Sequence, residues 1–307
     1  MTECERIIAE GILPESFFKE EIICDFLVTE KRKKIWAVSL DILIQFDRIC
    51  RKHNLKYFMA VGSLLGIVRH NGFIPWDDDV DICMPRDDYE RFIAIAQSEL
   101  PPPYFLQIPG RDNDYFFSFT RLRNSNSTSI SPAFRYCKFN QGIFIDIFIL
   151  DNCHLTDVEK NYHRAKELIL ENSAYMRSRN PHPTPYDIEK LRHYKGRDPH
   201  KVLAELNTIY AEMNKKRSDL CMITGIAVYK PNRMIYKWND VLDLVDVDFY
   251  GHQILIPRNA EQILTTTYGD FMQFPPIEER GNWHDFEAFD PDKPYDKFLR
   301  ELLEKEA

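Results

Sequence analysis

Apolar residues recur along this chain at two spacings, and the spacings predict an alternating series of helices and strands. Between Lys31 and His53 the apolar residues are three or four positions apart, which predicts a helix with one buried face. A second helical pattern, from Arg86 to Leu100, stops at three consecutive prolines. Short apolar runs predict strands at 55–61, 79–85, 105–108, 116–122 and 142–150. The pattern therefore predicts an α/β (α+β) fold, with a mixed sheet and flanking helices.

The second half of the chain is predicted to be mainly helical. Residues 155–217 are charged and helical in pattern, with a break at the proline-rich stretch 181–185. A hairpin around Gly251 and a closing helix from Asn259 to Tyr268 follow. At the other end, residues 1–30 predict one or two short helices. We divide the chain into an N-terminal helical extension at 1–30, an α/β core at 31–150 and a mainly helical C-terminal portion at 151–307.

The stretch from Tyr57 to Met84 combines apolar runs with a dense group of carboxylates. Aspartate occupies four of five consecutive positions, namely Asp77, Asp78, Asp79 and Asp81. Like charges this close repel, and partial burial beside apolar neighbours strengthens the repulsion. A hard divalent cation would offset that cost. On a strand, Asp79 and Asp81 would share one face while Val80 points into the core, so we predict that this pair binds Mg²⁺ or Mn²⁺.

Other interpretations of these aspartates stay open or fit less well. Asp77 and Asp78 could belong to a solvated acidic loop. An EF-hand is disfavoured because the position that requires glycine holds Ile82 and the expected glutamate is Asp88. The stretch Asp79–Asp81 also satisfies the Asp-x-Asp motif of nucleotide-sugar glycosyltransferases, which is weak evidence by itself.

A phosphate-binding turn is predicted just upstream of the aspartates. Gly62 and Ser63 follow an apolar run and precede a short helical pattern at 64–68. Exposed N–H groups that open a helix bind phosphate readily, glycine permits close approach, and the serine hydroxyl adds a donor. Arg69 and His70 come next and could face either phosphate or solvent. A guanidinium suits phosphate and would supply counter-charge, so both residues join the predicted phosphate-binding set.

The run 142–150 is apolar on both faces, as in a central strand, except for one carboxylate, Asp146. A lone carboxylate there is costly unless it is paired or binds a metal, so we predict Asp146 as a third site residue. In the strand before it, Arg121 and Arg123 alternate with an apolar residue and would place two positive charges on one face, so both join the predicted substrate- and phosphate-binding residues. The polar segment 124–131 is either a loop that closes over a ligand or a surface loop.

A wider pattern in this region resembles the LicD family. Its elements here are Gly62-Ser63, Leu64-Leu65-Gly66, Val68-Arg69-His70, Gly72 to Trp76, Asp77-Asp78-Asp79 and Val80-Asp81. The resemblance continues in Arg86, Asp88, Tyr89, Phe92 and the run Gly142 to Phe148. It returns near the C-terminus in Tyr268 to Met272, Pro275-Pro276, Arg280 and His284. The middle of the chain matches poorly.

LicD-like proteins, which include bacterial phosphocholine transferases and fukutin-related proteins, are similar to polymerase-β-type nucleotidyltransferases. The resemblance implies a nucleotidyltransferase-like sheet that holds phosphate at Gly62-Ser63 and catalytic metal, Mg²⁺ or Mn²⁺, at Asp79, Asp81 and Asp146. It also adds Arg280 and His284 to the predicted substrate-binding residues. The implied reaction is magnesium-dependent transfer of a phospho-alcohol group, most typically phosphocholine from CDP-choline, to a hydroxyl of a cell-surface glycan or its precursor. CMP would be released.

Two alternatives to this phosphotransferase fit the sequence less well. A glycosyltransferase of the Asp-x-Asp type normally carries a nucleotide-binding βαβ half before its motif, and the stretch before the first strand of this site is too short for one. A catalytically inactive, metal-stabilised interaction module is expected to lack one of the three aspartates or the Gly-Ser turn. None of these residues is missing here.

Composition and charge limit the kinds of binding partner, the state of the cysteines and the location that are expected. A net charge of −8, from 40 basic and 48 acidic residues, argues against a nucleic-acid surface. The expected partners are a CDP-linked donor and a glycan or lipid-linked glycan acceptor. Seven cysteines without a Cys-x-x-Cys pair predict reduced thiols and no zinc site. No secretory signal or membrane-spanning apolar run is visible, so a cytoplasmic location is expected.

Overall fold

Helices and strands alternate along the computed structural model, which describes residues 1–226, 230–281, 286 and 288–304. The helices are α1 Glu3–Ala9, α2 Glu30–Lys52, α3 Val61–His70, α4 Arg86–Glu99, α5 Val158–Arg177, α6 Pro185–Leu191, α7 Pro199–Met213, α8 Trp238–Leu242, α9 Ala260–Tyr268 and α10 Tyr295–Glu304. The strands are β1 Glu21–Ile23, β2 Phe26–Val28, β3 Phe58–Met59, β4 Asp81–Pro85, β5 Tyr104–Gln107, β6 Thr120–Asn124, β7 Thr128–Ile130, β8 Ile143–Asn152, β9 Leu220–Thr224, β10 Ile235–Lys237, β11 Leu244–Phe249, β12 His252–Pro257 and β13 Ala288–Asp290. Short 3-10 helices cover Glu15–Phe18, Pro231–Arg233 and Ile277–Glu279.

A seven-stranded mixed sheet is the centre of the molecule. Strands β10, β9, β8, β4 and β3 lie side by side in that order, and β6 pairs with both β5 and β8. Strands β4 and β8 run parallel, whereas the other pairings in the described part of this sheet are antiparallel. The predicted α/β fold with a mixed sheet is therefore confirmed.

Strand β8 is a central strand with neighbours on both edges, and it is buried along almost its whole length. It pairs with β4 on one edge, and with β6 and then β9 on the other. Helix α2 packs across β8 and β6 and contributes Trp36, Leu40 and Leu43, all fully buried. This explains the apolar run of β8, since a strand covered on both faces has few positions where a polar side chain is tolerated.

A second cluster of buried apolar residues lies under α5 and α7 and includes Phe116, Leu168, Leu206 and Met213. The helical interpretation of 155–217 is confirmed, with α6 inserted after the proline-rich stretch. Thr184 caps α6, and Pro185 occupies its first turn, where a missing N–H costs nothing. The hairpin β11–β12 and helix α9 also follow the prediction.

Several predicted elements differ in extent. Residues 1–30 contain α1 but also the hairpin β1–β2, which was not predicted. The turn of that hairpin, Cys24 and Asp25, has positive φ angles of 50° and 58° without the glycine that normally signals such a turn. The strand predicted at 116–122 begins only at Thr120, because the preceding aromatic residues pack in a loop against α5 and α7.

The elements that carry the predicted site residues also begin at positions other than those predicted. Asp79 was predicted on a strand with Asp81, and this is wrong: β4 begins at Asp81, and Asp79 precedes it. The chain is still turning at Asp77, whose N–H donates to the Ile74 carbonyl at 2.9 Å. Helix α3 starts at Val61 rather than at residue 64, so the Gly-Ser pair forms the first helical turn.

Candidate active site

Asp79, Asp81 and Asp146 form one carboxylate group. One oxygen from each lies within 4.8 Å of the others. Asp81 opens β4, and Asp146 is its direct partner on the parallel strand β8. Because paired residues on neighbouring strands project to the same face, the sheet itself brings these two carboxylates together. Asp79 joins them from the segment just before β4.

The charges of this group are unfavourable without a cation. Burial raises the pKa of the Asp81 carboxyl well above its usual range, and the negative charges of Asp79, Asp146 and Asp77 raise it further. The Gly62 N–H, which hydrogen-bonds to the Asp81 carboxylate, opposes this shift. Three carboxylates with one oxygen each directed to a common region are the hard ligands that Mg²⁺ and Mn²⁺ prefer. The donor set therefore fits the predicted metal.

The Gly-Ser pair faces the same carboxylates. A Cβ atom on Gly62 would lie 3.0 Å from Asp77 Oδ2, so a larger residue would press on that side chain, and 3.6 Å from Asp81 Oδ2, which is an ordinary contact. The Asp81 N–H donates to Ser63 Oγ at 2.8 Å, which leaves the serine hydroxyl hydrogen able to reach a ligand. The first turn of α3 thus presents backbone and hydroxyl donors beside the metal-binding group. Their contact with phosphate stays a prediction.

The acidic run is not a solvated loop. Asp77 and Asp78 are only 9% and 4% exposed. The Asp77 carbonyl accepts hydrogen bonds from Arg32 Nη1 at 2.7 Å and Trp36 Nε1 at 2.9 Å, both from α2. Burial lowers the pKa of Arg32, and the charges of Asp78 and Asp77 oppose that change. Arg32 supports the acidic run through this hydrogen bond. The sequence does not predict that role, because no local feature links Arg32 to Asp77, 45 positions away.

Arg69 and His70 lie at the C-terminal end of α3 and contact the segment 271–274. Arg69 Nη1 donates to the Phe271 carbonyl at 2.8 Å and to the Gln273 carbonyl at 3.3 Å, and its Nε donates to His70 Nε2 at 2.9 Å. The His70 ring stacks on Phe274 with centroids 5.4 Å apart. Burial, followed by the charges of Arg69 and Arg280, lowers the pKa of His70 to about 4. In the structure this pair anchors a distant segment beside the acidic run.

Arg280 reaches the same place from the C-terminal region. Its Nη1 donates to the Cys24 carbonyl at 2.8 Å and its Nε to the Pro275 carbonyl at 2.9 Å. Its guanidinium carbon lies 4.9 Å from the centroid of Trp76, the residue that precedes Asp77. Arg69 lies over the same ring at 5.9 Å. The structure thus brings Arg69 and Arg280 together at Trp76, while His284 lies outside the described residues.

Arg121 and Arg123 share one face of β6, as predicted, but their partners differ. Arg121 Nε donates to Asp146 Oδ1 at 2.6 Å. Arg123 is 1% exposed and donates to Gln107 Oε1 and to the Gly142 carbonyl, each at 2.6 Å. Burial, followed by the charge of Arg121, lowers the pKa of Arg123 to about 9. Of these two arginines, only Arg121 contacts the carboxylate group. Arg123 is buried deeper in the protein and binds Gln107 and Gly142 instead.

The amino-acid sequence is similar to those of known proteins. Residues 54–177 match the family described as LicD/FKTN/FKRP, nucleotidyltransferase domain. The lipopolysaccharide cholinephosphotransferase LicD of Haemophilus influenzae is 27% identical over 279 residues, which cover 82% of this chain and 95% of that protein. The uncharacterized protein RP689 of Rickettsia prowazekii is 29% identical over 187 residues, 58% of this chain and 56% of its own.

These matches indicate the class of protein: residues 54–177 match a LicD-type domain, and this range contains all three carboxylates of the group. The predicted resemblance to the LicD family is confirmed, and the similarity to the Haemophilus protein extends it over most of the chain. This similarity supports an enzyme of the transferase class. Within the described residues, no helix combines the length and apolar character needed to cross a membrane.

Proposed function

We propose that this chain transfers phosphocholine from CDP-choline to a hydroxyl of a cell-surface glycan or its precursor and releases CMP. The hydroxyl oxygen would form a bond to the choline-bearing phosphorus, and the bond from that phosphorus to the bridging oxygen would break. The bridging oxygen and its electron pair leave with CMP, and the hydroxyl proton is lost to solvent or to a basic group. The observation that carries this proposal is the group Asp79, Asp81 and Asp146 beside the first turn of α3.

The residues of this group would hold Mg²⁺ or Mn²⁺ through one oxygen each. When bound, such an ion neutralises the diphosphate of the donor and orients its reacting phosphorus. The chain's own contribution is position: two of the carboxylates are fixed by paired strands, and the third, Asp79, lies in the segment that links the turn at Ile74–Asp77 to β4. In-line phosphoryl transfer depends mainly on such positioning and charge stabilisation, because the protein forms no covalent bond to the phosphoryl group.

The first turn of α3 is the proposed phosphate contact. Gly62 N–H and the Ser63 hydroxyl lie against Asp81, so a diphosphate beside the metal group would meet both. The positive end of the helix dipole favours an anion at this place. The pair Arg69 and Arg280, which positions the segment 271–280 next to Trp76, would form one wall of the donor site.

The test is a donor comparison with the purified protein, Mg²⁺ and an oligosaccharide acceptor from the surface glycan. CDP-choline should give CMP, seen by chromatography, together with an acceptor whose mass grows by one phosphocholine group. The Asp79→Asn variant is the matched control and should give neither product. Release of UDP from UDP-sugars, with CDP-choline left intact, would instead establish the glycosyltransferase alternative. Mass spectrometry of the surface glycan from cells lacking the protein would identify the acceptor.

A further inference from the structure

Asp81, Asp146 and Arg121 form one row across three neighbouring strands. Asp81 on β4 pairs with Asp146 on β8, and Asp146 pairs in turn with Arg121 on β6. Their side chains therefore project from the same face of the sheet. Asp146 is the middle member, with a like charge on one side and a guanidinium on the other. The Asp146 carboxylate therefore lies between Arg121 and the proposed positions of the metal and the donor.

The guanidinium of Arg121 is enclosed by aromatic rings and by Asp146. Its carbon atom lies 3.7 Å from the ring centroid of Phe144, 4.9 Å from that of Phe117 and 5.3 Å from that of Phe119. The residue is 9% exposed. Nε donates to Asp146 Oδ1 at 2.6 Å, and Nη2 approaches Oδ2 at 3.4 Å. The rings and the carboxylate leave little of this guanidinium for a phosphate to contact, and two of its three nitrogens already face Asp146.

We propose that Arg121 is a positioning residue, which acts on the reaction by orienting Asp146 and makes no contact with donor phosphate. This inference rests on the proposed function and revises the phosphate-binding role predicted for Arg121. The strong contact fixes Oδ1 and leaves Oδ2, with its longer contact, as the oxygen that serves the metal-binding group. Partners that orient a metal ligand commonly change metal affinity or activity by about 10–100-fold when removed.

A second arginine–aspartate pair, with a buried aspartate and a partly exposed arginine, provides a control. Arg86 donates through Nε and Nη2 to the two oxygens of Asp151 at 2.9 and 2.7 Å. Asp151 is fully buried and belongs to β8, five positions after Asp146, and Arg86 directly follows β4. The Arg86–Asp151 pair thus joins the same two strands away from the carboxylate group. Breaking the Arg86–Asp151 pair shows how the loss of an ion pair to a buried aspartate changes stability when the carboxylate group is left intact.

The experiment compares Arg121→Lys, Arg121→Met and Arg86→Met by calorimetric titration with Mn²⁺ alone, by thermal melts and by steady-state kinetics with CDP-choline. Both Arg121 variants should weaken Mn²⁺ binding and lower kcat by on the order of 10-fold or more, with KM for CDP-choline at saturating metal changed no more than a few-fold. Arg86→Met should lower the melting temperature and leave Mn²⁺ affinity unchanged. In an Asp146→Asn background, Arg121→Lys should cause no further loss of Mn²⁺ affinity.

Two results would overturn the inference. A raised KM with unchanged Mn²⁺ affinity would show that Arg121 contacts phosphate directly. Unchanged Mn²⁺ affinity and kcat with a lower melting temperature would show a structural counter-ion only. If Arg121→Met does not fold, Arg121→Lys keeps the charge and decides the question. The Mn²⁺ titrations and the double variant need no donor, so they hold even if CDP-choline proves to be the wrong substrate.

Discussion

Asp81 and Asp146 lie directly opposite each other on the parallel strands β4 and β8. The Asp146 N–H donates to the Val80 carbonyl at 2.8 Å, so the pairing extends one step before β4 begins. Two carboxylates from distant parts of the chain are thus held by the backbone of a buried sheet and not by a loop. Arg121 balances the charge of Asp146 in this pair, so the remaining free-energy cost at neutral pH falls on Asp81 and is lowered by a bound cation.

Activity should require Mg²⁺ or Mn²⁺ and should not be restored by zinc. The ligands available in the carboxylate group are hard oxygens, and the described acidic groups contain no cysteine or histidine. Metal should also raise the melting temperature, because it offsets the repulsion around Asp81, and Asp81→Asn should reduce that gain. Full turnover after exhaustive chelation would contradict the prediction.

Arg69→Lys should lower kcat/KM by about ten-fold or more, equivalent to about 1.4 kcal/mol. Lysine keeps the charge but cannot donate to the Phe271 and Gln273 carbonyls while lying flat against Trp76 and Phe274. Limited proteolysis should show faster cleavage in the segment 271–281. Unchanged kinetics together with an unchanged digest would place Arg69 outside the function of the site.

Lowering the pH should loosen the contact between α3 and the segment 271–274. His70 accepts a hydrogen bond from Arg69 Nε, packs on Phe274 and lies near Arg280 and Cys24 Sγ, so protonation adds a positive charge beside two guanidiniums. Its pKa is about 4 in the folded chain against an ordinary 6.5. The folded state therefore binds fewer protons than the unfolded state, and stability falls as the pH drops from 6.5 towards 4.

The measurement is the melting temperature of wild type and His70→Gln across this pH range. Glutamine can accept the Arg69 hydrogen bond without titrating, so the difference between the two proteins should diminish as the pH falls. Acidic residues titrate in both proteins and cancel in the comparison. Parallel curves would mean that His70 is already solvated and carries no pH dependence.

The sequence predicted those site residues whose type is unusual for their local sequence context. Asp146 interrupts an apolar strand, and the aspartates around Val80 repel one another, so each carries its own local signal. Arg32 carries none, because its partner Asp77 is reached only after α2 packs on the sheet. Arg121 and Arg123 look equivalent in sequence and are separated in role only by register, which puts Asp146 opposite the first and Phe144 opposite the second.

Element boundaries were less predictable for a related reason. The alternation of Asp79, Val80 and Asp81 is typical of a strand, yet the chain turns just before it, where the Asp77 N–H donates to the Ile74 carbonyl, and β4 begins only at Asp81. Val61 begins α3 with φ of 46°, an unfavourable value for a β-branched residue, and no propensity argument places a helix start there. Tertiary contacts around the carboxylates decide both boundaries, and such contacts are not visible in local sequence.

The three aspartates should separate by role when each is changed to asparagine. Asp79→Asn should weaken metal–nucleotide binding and abolish transfer together, because Asp79 and Asp81 are expected to hold the ion that accompanies the diphosphate. Asp146→Asn should leave nucleotide binding within a few-fold while turnover falls by on the order of 100-fold, since Asp146 is expected to serve the attacking hydroxyl or a second metal position. Calorimetric titration with CDP-choline and Mg²⁺ measures the first effect, and CMP release the second.

Stability must be measured beside these titrations, because Asp146→Asn also leaves the buried Arg121 without a charged partner. Loss of one partner of a buried pair costs about 3–5 kcal/mol, part of which is offset here by relief of the repulsion with Asp81. Asp87→Asn, an exposed change in α4, is the matched control and should alter neither stability nor binding. If folded Asp146→Asn loses nucleotide binding as completely as Asp79→Asn, the division of roles is wrong, and all three carboxylates serve one ion.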